Sequence, residues 1–388
     1  MRRLIAVCTA LLILTACGSA PEPDATPAAR DATAIPVVGA DEPASGEEAA
    51  PAGMVGPDDY PADTNPLTGL PVPDPAVLDR RPVLIKVSNE SAAVRPQSGL
   101  SRADHVWEHA MEDLRGTRFT AVYYSQSAEW VGSVRSARLL DIDHLIGMYG
   151  GLFVTSGGSS NLADPPGSPP RIRELLLLGP WSERVLSNQT GVAEPIMVRI
   201  PDVPEAGTAY YHSLFAAPDE VWAWAEDNAL NQRPDLGGLA FAEAVPAGGS
   251  PAPTVTVDYP DYGPAHTWTY QDGLWLSSTD GVPDTDYLNG ERIAFANVVI
   301  IEVGQYTADF LEDDNARLYA IGQTIEGEGP ARVLRDGQVF DVRWQTGGES
   351  MIRLVAAGGT PFPLKPGTVW FMTNAANMQA AAITVGAE

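Results

Sequence analysis

The sequence predicts an α+β protein, with a mixed α/β amino-terminal part and a mostly antiparallel β carboxy-terminal part. Before about residue 237, short apolar runs of strand length alternate with stretches whose apolar residues recur at helical spacing. From about Thr254 the texture changes to short alternating runs, with the turn dipeptides Asp272-Gly273, Asn289-Gly290 and Asp336-Gly337 between them. A chain of 388 residues with 44% hydrophobic residues can fill one or two ordinary cores, while 37 Gly and 34 Pro promise long irregular stretches.

Arg81-Pro82 opens Val83 to Val87, a largely apolar run that reads as a buried strand. His105 to Glu112 and Arg118 to Tyr124 are two further strands, with Leu114-Arg115-Gly116-Thr117 as a hairpin connection. Ala137 to Met148 carries Leu139, Leu140, Ile142, Leu145, Ile146 and Met148 at helical spacing, and Gly150-Gly151 stops it. Leu152 to Thr155 is a short strand and Ser156 to Pro170 a loop. Arg171 to Leu178 and Ala217 to Ala229 are helical, the second with Pro218 in its first turn and Asp219 and Glu220 favourable to the helix dipole there. Gly237 to Pro253, full of Gly, Ala and Pro, reads as a linker. Beyond it the expected strands are Val255 to Val257, His266 to Tyr270, Leu274 to Ser277, Ala296 to Glu302, Ala331 to Leu334, Val339 to Trp344, Met351 to Leu354 and Val369 to Met372. The expected domains are residues 65–240 and 254–380.

Charge excludes one class of partner. Against 50 Asp plus Glu stand 24 Lys plus Arg, a net charge of -26, so the field of the whole chain repels polyanions and speaks against nucleic acid. Only Lys86 and Lys365 are lysines, so the other cations are arginines, planar forks with permanent charge.

The first residues point to export. Met1-Arg2-Arg3 is a basic head, Leu4 to Leu14 an apolar run too short to span a membrane, and Leu14-Thr15-Ala16-Cys17 follows. This resembles a bacterial lipoprotein signal over residues 1–16, which implies cleavage before Cys17, lipid on its sulfur and an acyl chain on the new amino terminus. Several acyl chains make a stable anchor on the outer face of the cytoplasmic membrane. With Cys8 leaving in the signal and Cys17 lipidated, no thiol remains for disulfides, zinc or catalysis. Residues 17–64, poor in large apolar side chains and carrying ten acids against Arg30, read as a disordered acidic tether.

Asn65-Pro66-Leu67-Thr68-Gly69, Arg95-Pro96-Gln97-Ser98-Gly99-Leu100-Ser101 with Ala103-Asp104, Val106 and Glu108 behind it, Thr117-Arg118-Phe119 and Gly132-x-Val134-Arg135-Ser136-Ala137-Arg138 occupy the first part. Asn297-Val298-Val299-Ile300, Gly327-x-Gly329-x-Ala331, Asp336-Gly337-Gln338 and Lys365-Pro366-Gly367-Thr368-x-Trp370 occupy the second. By these stretches the chain resembles the YerB-like bacterial lipoproteins from Asn65 to about Asn374. The resemblance implies a two-part architecture and an envelope location but no reaction. Where relatives often carry a His before Ala-Gly-Gly-Ser, this chain has Thr155 before Ser156-Gly157-Gly158-Ser159.

Arg95, Arg118, Arg135 and Arg138 all fall in these stretches, the last two flanking Ser136 at the expected start of a helix. Free backbone N–H groups, a Ser136 hydroxyl and guanidinium forks suit a phosphate or carboxylate, and Gly157 and Gly158 would allow close backbone approach. The competing reading pairs these arginines with Glu108, Glu112, Asp104, Asp141 and Asp143. His105-Val106-Trp107-Glu108-His109 spells the inverted zincin motif, but the segment reads equally as a strand and lacks a third ligand, so no metal is expected. Nor is a cofactor. Ser156-Gly157-Gly158-Ser159 lacks a nucleophile elbow, although a Ser-His-acid triad never shows itself in sequence order. Trp181, Trp222, Trp224 and Trp275 are loose candidates for sugar platforms, with core the commoner fate.

The expectation is therefore a non-enzymatic, membrane-anchored envelope lipoprotein that binds an anionic wall ligand or an envelope protein through the arginine site. The alternative is a hydrolase or transferase on a phosphorylated or carboxylated envelope substrate, with Asp104, Glu108 or His212 as acid or base. A plainer scaffold, contacting partners through the β part, stands third.

Overall fold

In the computed structural model, which describes residues 53–112, 116–200, 212–259, 263–378 and 380–386, the predicted first strand is β1, Val83–Asn89, buried at every position. It pairs antiparallel with β3, Thr117–Tyr123, which pairs antiparallel with β2, His105–Ala110. β4, Leu152–Thr155, and β5, Val185–Ser187, extend the sheet in parallel beyond β1. Because side chains alternate across a strand, Val83, Ile85 and Val87 face one core with Phe119, Ala121 and Tyr123, while Leu84, Trp107 and Val122 face another.

The second part is mostly β, as the dipeptides predict. β6, Thr254–Asp258, β7, Ala265–Gln271, and β8, Leu274–Thr279, form an antiparallel sheet. Next come β9, Asn297–Asp313, β10, Leu318–Thr324, β11, Gly327–Arg335, and β12, Gln338–Thr346. β13, Val369–Ala375, and β14, Ala382–Gly386, end the order. Asp272-Gly273 and Asp336-Gly337 have φ of 51° and 86°, and 50° and 71°, the left-handed pair that a two-residue hairpin turn requires.

β13 lies parallel to β2 on one side and to β9 on the other, with Val369 opposite both His105 and Asn297. One sheet thus runs from β12 through β11, β9, β13, β2, β3, β1 and β4 to β5. The composition change at residues 237–253 is not a break in it. The sheet formed by β6, β7, β8 and β14 supplies Val255, Val257, Trp268 and Trp275 to the core that also holds Ile85, Phe119 and Trp370.

Four expectations need correction. The helix expected over Ala137 to Met148 begins at Leu139 and is not uniformly α: Asp141–Leu145 is a π-helical turn that runs into α1, Ile146–Tyr149, which stops at Gly150 with φ 54°. β9 continues eleven residues past Glu302 and pairs with β10, which Gly304 to Asp309, without alternation, did not announce. Residues 53–64 are packed rather than part of a tether: Val55 bridges to Phe241, the Tyr60 hydroxyl donates to the Leu239 carbonyl, and Asp58 pairs with Arg353. Trp222 and Trp275 are buried, so neither offers a face to a sugar. The other two helices, α2, Ile172–Leu178, and α3, Pro218–Asp227, stand where predicted. The signal, Cys17 and residues 17–52 lie outside the described residues, as does most of the connection at Leu114-Arg115.

Candidate functional site

A cleft of about 600 Å³ opens at the end of β1 and β3, lined on one side by Glu90, Glu112, Arg118, Arg135, Ser136, Arg138 and His212. Its other side is the tip of the β9–β10 hairpin, with Glu312, Asp313, Ala316 and Leu318. Strand register assembles it. Ser88 of β1 lies opposite Arg118 of β3, Lys86 opposite Thr120, and His109 of β2 opposite Arg118, so at this end of three strands these five residues send polar groups to the same face.

Under the cleft, Lys86 Nζ donates to His109 Nε2 at 2.7 Å, Thr120 Oγ1 at 3.0 Å and Asp141 at 2.9 Å. Burial pulls the Lys86 pKa down to about 8, with Asp141 resisting the fall, and burial together with Lys86 holds His109 well below its ordinary value. The second Asp141 oxygen accepts the Arg138 backbone N–H at 2.8 Å.

Each guanidinium is already engaged. Arg118 and Arg135 share the Glu90 carboxylate, at 3.1 and 3.0 Å, and His212 Nε2 lies 3.5 Å from the same group. Arg138 holds two carboxylates, Glu112 through Nε at 2.9 Å and Glu312 through Nη1 at 2.9 Å. Burial, with Arg138 and Arg135 nearby, brings the Arg118 pKa down to about 9. Burial works against the Arg138 charge too, but Glu112 and Glu312 outweigh it and raise its pKa. Burial would raise Glu90, and Arg135 and Arg118 outweigh it to hold that carboxyl below the usual range. Glu312 goes the other way, raised by burial and by Glu112 despite Arg138. At this site Arg118 Nε and Glu112 Oε1 are buried without a hydrogen-bond partner among the described residues.

The structure thus gathers Arg118, Arg135, Ser136, Arg138 and His212, five of the residues singled out in the sequence. Both readings of the arginines are realised in part: they converge on one cleft, and they do so as ion pairs. The partners are Glu90, Glu112 and Glu312, of which only Glu112 was foreseen; Asp104, Glu108 and Asp143 pair with none of them. Glu312 has no local signal, because it arrives from the far part of the chain on a hairpin that the sequence does not announce.

The remaining candidates lie elsewhere. Ser136 does not begin a helix; its carbonyl accepts Arg118 Nη1 at 2.8 Å, and the helix start downstream is occupied by Asp141. Arg95 donates to Asn89 at 2.9 Å and pairs with Asp280 at 3.3 Å, outside the cleft. Gly157 accepts the Ala137 N–H, and Gly158 exchanges hydrogen bonds with the Gln189 amide, so neither backbone is open to a ligand. Asp104 is fully buried and accepts from Asn65, Tyr124 and Ser125; burial raises its pKa even so. It is a joint between loops and not an acid or base.

Glu108 belongs to a second network, on the opposite face of β2. It accepts His266 Nδ1–H at 2.7 Å, Trp370 Nε1–H at 3.1 Å and the Thr117 hydroxyl at 2.8 Å, while His266 Nε2 stands 2.7 Å from Ser277 Oγ. The spacing is that of a Ser-His-acid triad, but the proton logic is reversed. The Ser277 hydroxyl donates to Asp284, so the imidazole must donate to Ser277 and cannot take its proton. Burial lowers the His266 pKa, and Glu108 and Asp284 outweigh this to raise it. The void beside Ser277 is only about 10 Å³, too small for any substrate. His105 and His109 lie on strand β2 rather than on a helix, and among the described residues no cluster could hold a metal ion.

Comparison with known proteins agrees with this architecture. Residues 67–169 match the family model described as "Protein of unknown function (DUF3048) N-terminal domain", and residues 255–371 match its C-terminal domain. The chain is similar to "Putative lipoprotein YerB" of Bacillus subtilis (strain 168), 28% identical over 335 residues that make up 83% of this chain and 88% of that one. It is similar also to the crystal structure of the YerB protein from Bacillus subtilis, with a TM-score of 0.64 and 27% identity over 83% of this chain and 99% of the other. Among the described residues, no helix is long and apolar enough to cross a membrane.

Proposed function

The chain belongs to the YerB-like two-domain family, and from that premise we propose that it is a lipid-anchored protein of the outer face of the cytoplasmic membrane that holds a small anionic ligand in the arginine cleft. The anchor is Cys17, preceded by the signal at residues 1–16. The observation that carries the ligand reading is the convergence of Arg118, Arg135 and Arg138 on one cleft of about 600 Å³. Three guanidinium forks at one site suit a carboxylate or phosphate, each oxygen taking a charge-assisted hydrogen bond. Glu90, Glu112 and Glu312 already pair with the three arginines, and Asp313 adds a fourth carboxylate to the lining, so binding proceeds by exchange: the ligand takes a fork and a glutamate gives it up.

Thermal unfolding of the full chain with phosphate, citrate, nucleotides or wall fragments tests this reading, alongside an Arg135→Ala/Arg138→Ala variant. A ligand at a hundred times its Kd adds about 2.7 kcal/mol of stability. A shift in the wild type that the variant lacks supports the site; no shift with any of them sinks it. Labelling with a fatty acid tests the anchor, and Cys17→Ala is expected to abolish the label.

One observation favours the second reading, a hydrolase or transferase. Glu312, raised by burial and by Glu112, lies beside Arg138 in the cleft, as a general acid would. Its two oxygens, however, are already engaged by Arg138 and by Ser159, which ties the group to its seat in this arrangement. Binding without turnover is the expected outcome.

A further inference from the structure

The β9–β10 hairpin differs from the rest of the sheet in how it is held. Its ladder is regular from Gly304 opposite Thr324 to Thr307 opposite Ile321, then loses register between Thr307 and Leu311 and again between Leu311 and Asp313. Beyond that break Phe310 is the one buried apolar side chain before Ala320, and residues 313–317 are exposed. What ties the tip to the first part of the chain is polar: Glu312 to Arg138 at 2.9 Å, Glu312 to the Ser159 hydroxyl at 2.6 Å, Asp314 to Arg171 at 2.9 Å, and the Leu311 carbonyl to Arg171 at 3.1 Å. Asp314 is 65% exposed, and an ion pair so placed contributes little.

The Glu312 contact is buried, but it is contested. Glu112 occupies Nε of the same guanidinium at 2.9 Å, so two carboxylates crowd one cation. Burial and this neighbour both raise the Glu312 pKa. A side chain in that position is held less firmly than its distances suggest, and it sits on a tip whose ladder is already interrupted.

Resting on the reading of the cleft as an anion site, we propose that Glu312 is a built-in surrogate for the carboxylate of a ligand: it occupies the seat formed by Arg138 and Ser159, and a carboxylate ligand enters by displacing it and releasing the tip of the hairpin. The ligand class is thereby narrowed from anions in general to carboxylates, since a planar two-oxygen group is what the seat already holds. Its two oxygens meet one guanidinium N–H and one hydroxyl, a pairing that a carboxylate reproduces atom for atom.

The test uses the full-length protein, with citrate and inorganic phosphate as probes. Calorimetric titration compares the wild type with Glu312→Gln and, as a milder change that leaves the ion pair in place, Ser159→Ala. Citrate is expected to bind Glu312→Gln at least about tenfold more tightly than the wild type, with a smaller gain for phosphate, whereas Ser159→Ala, which takes the same hydroxyl from Glu312 and from the ligand, is expected to show no gain. Hydrogen exchange supplies a readout without any ligand: amides of residues 310–316 are expected to exchange several-fold faster in Glu312→Gln, and in the wild type when citrate is saturating. Equal citrate affinity in the wild type and Glu312→Gln, or a gain in Ser159→Ala, overturns the proposal and leaves the cleft reading standing. Citrate binding to none of them overturns the proposal, and the cleft reading falls with it only if phosphate, nucleotides and wall fragments fail to bind as well. An equal gain for phosphate overturns the carboxylate assignment, and unchanged exchange at the tip overturns its release.

Discussion

Lys86 and Asp141 form an ion pair 2.9 Å long in which neither side chain has any exposed surface. All three Lys86 protons are placed, on Asp141, Thr120 and His109, and Asp141 takes two further donors, the Thr120 hydroxyl and the Arg138 N–H. Lys86→Met leaves a buried carboxylate without its cation and is expected to cost about 3–5 kcal/mol. Adding Asp141→Asn removes the stranded charge while keeping an acceptor, so the double variant should recover a large part of that loss in urea unfolding. A double variant as unstable as the single one would show that the pair is not the source of the effect.

Arg135 and Arg138, three residues apart, are expected to behave differently. Arg138 is 7% exposed and pairs with two nearly buried glutamates, whereas Arg135 is 18% exposed and shares Glu90 with Arg118. Arg138→Ala strands both Glu112 and Glu312 and should cost several kcal/mol, in the range of ~3–5 for a broken buried pair. Arg135→Ala leaves Glu90 with Arg118, and a loss of about 1 kcal/mol is expected. Chemical denaturation of the two variants decides it, and similar losses would contradict the burial difference.

Glu90 sets the acid limb of stability. Its folded pKa lies below the ordinary 4.5, through Arg135 and Arg118 acting against burial. The unfolded chain therefore binds this proton first, so the contribution is full above pH 4.5 and is lost as pH falls through the lower folded value. Glu90→Gln should flatten that part of the stability profile. An unchanged acid limb in the variant would mean that Glu90 gains nothing from its arginines.

His266 acts at the other end. Its folded pKa is raised above 6.5, because Glu108 and Asp284 outweigh burial. Stability from this group is thus fully present below pH 6.5 and is lost as pH rises through the folded value. Glu108→Gln removes the main partner, and the alkaline decline should shrink with it. Urea midpoints at a series of pH values, compared between wild type and variant, read the difference directly.

Local features of the fold are well marked in the sequence, and long-range ones are not. β1 and β3 announce themselves as apolar runs, and Asp272-Gly273 and Asp336-Gly337 specify hairpin turns through a backbone that only a few residue types adopt readily. Arg118, Arg135 and Arg138 are recognisable as a set because they fall in dense motifs close together in the chain. Glu312 and His266 are not, since their roles depend on which strand comes to lie beside β2 and β3, and nothing in residues 304–313 or 265–271 encodes that neighbour. The triad spacing of Glu108, His266 and Ser277 also needs coordinates. So does its dismissal, which turns on the Asp284 oxygen that receives the Ser277 proton. Ser136 misled for a related reason: a Ser before apolar residues at helical spacing looks like a cap, but the helix begins at Leu139, and it is Asp141 inside the first turn that accepts the Arg138 N–H.

The place of β13 bears on the order in which the molecule can be made. Val369 to Met372 fill the gap between β2 and β9, so the inner edge of β2 has no partner until nearly the whole chain is available. While the ribosome is still at work, residues 105–108 present open backbone groups and buried-type side chains to whatever is nearby. An amino-terminal fragment released early would keep that sticky edge, which makes proteolysis or aggregation its fate and ties the survival of the first half to the arrival of the last strand.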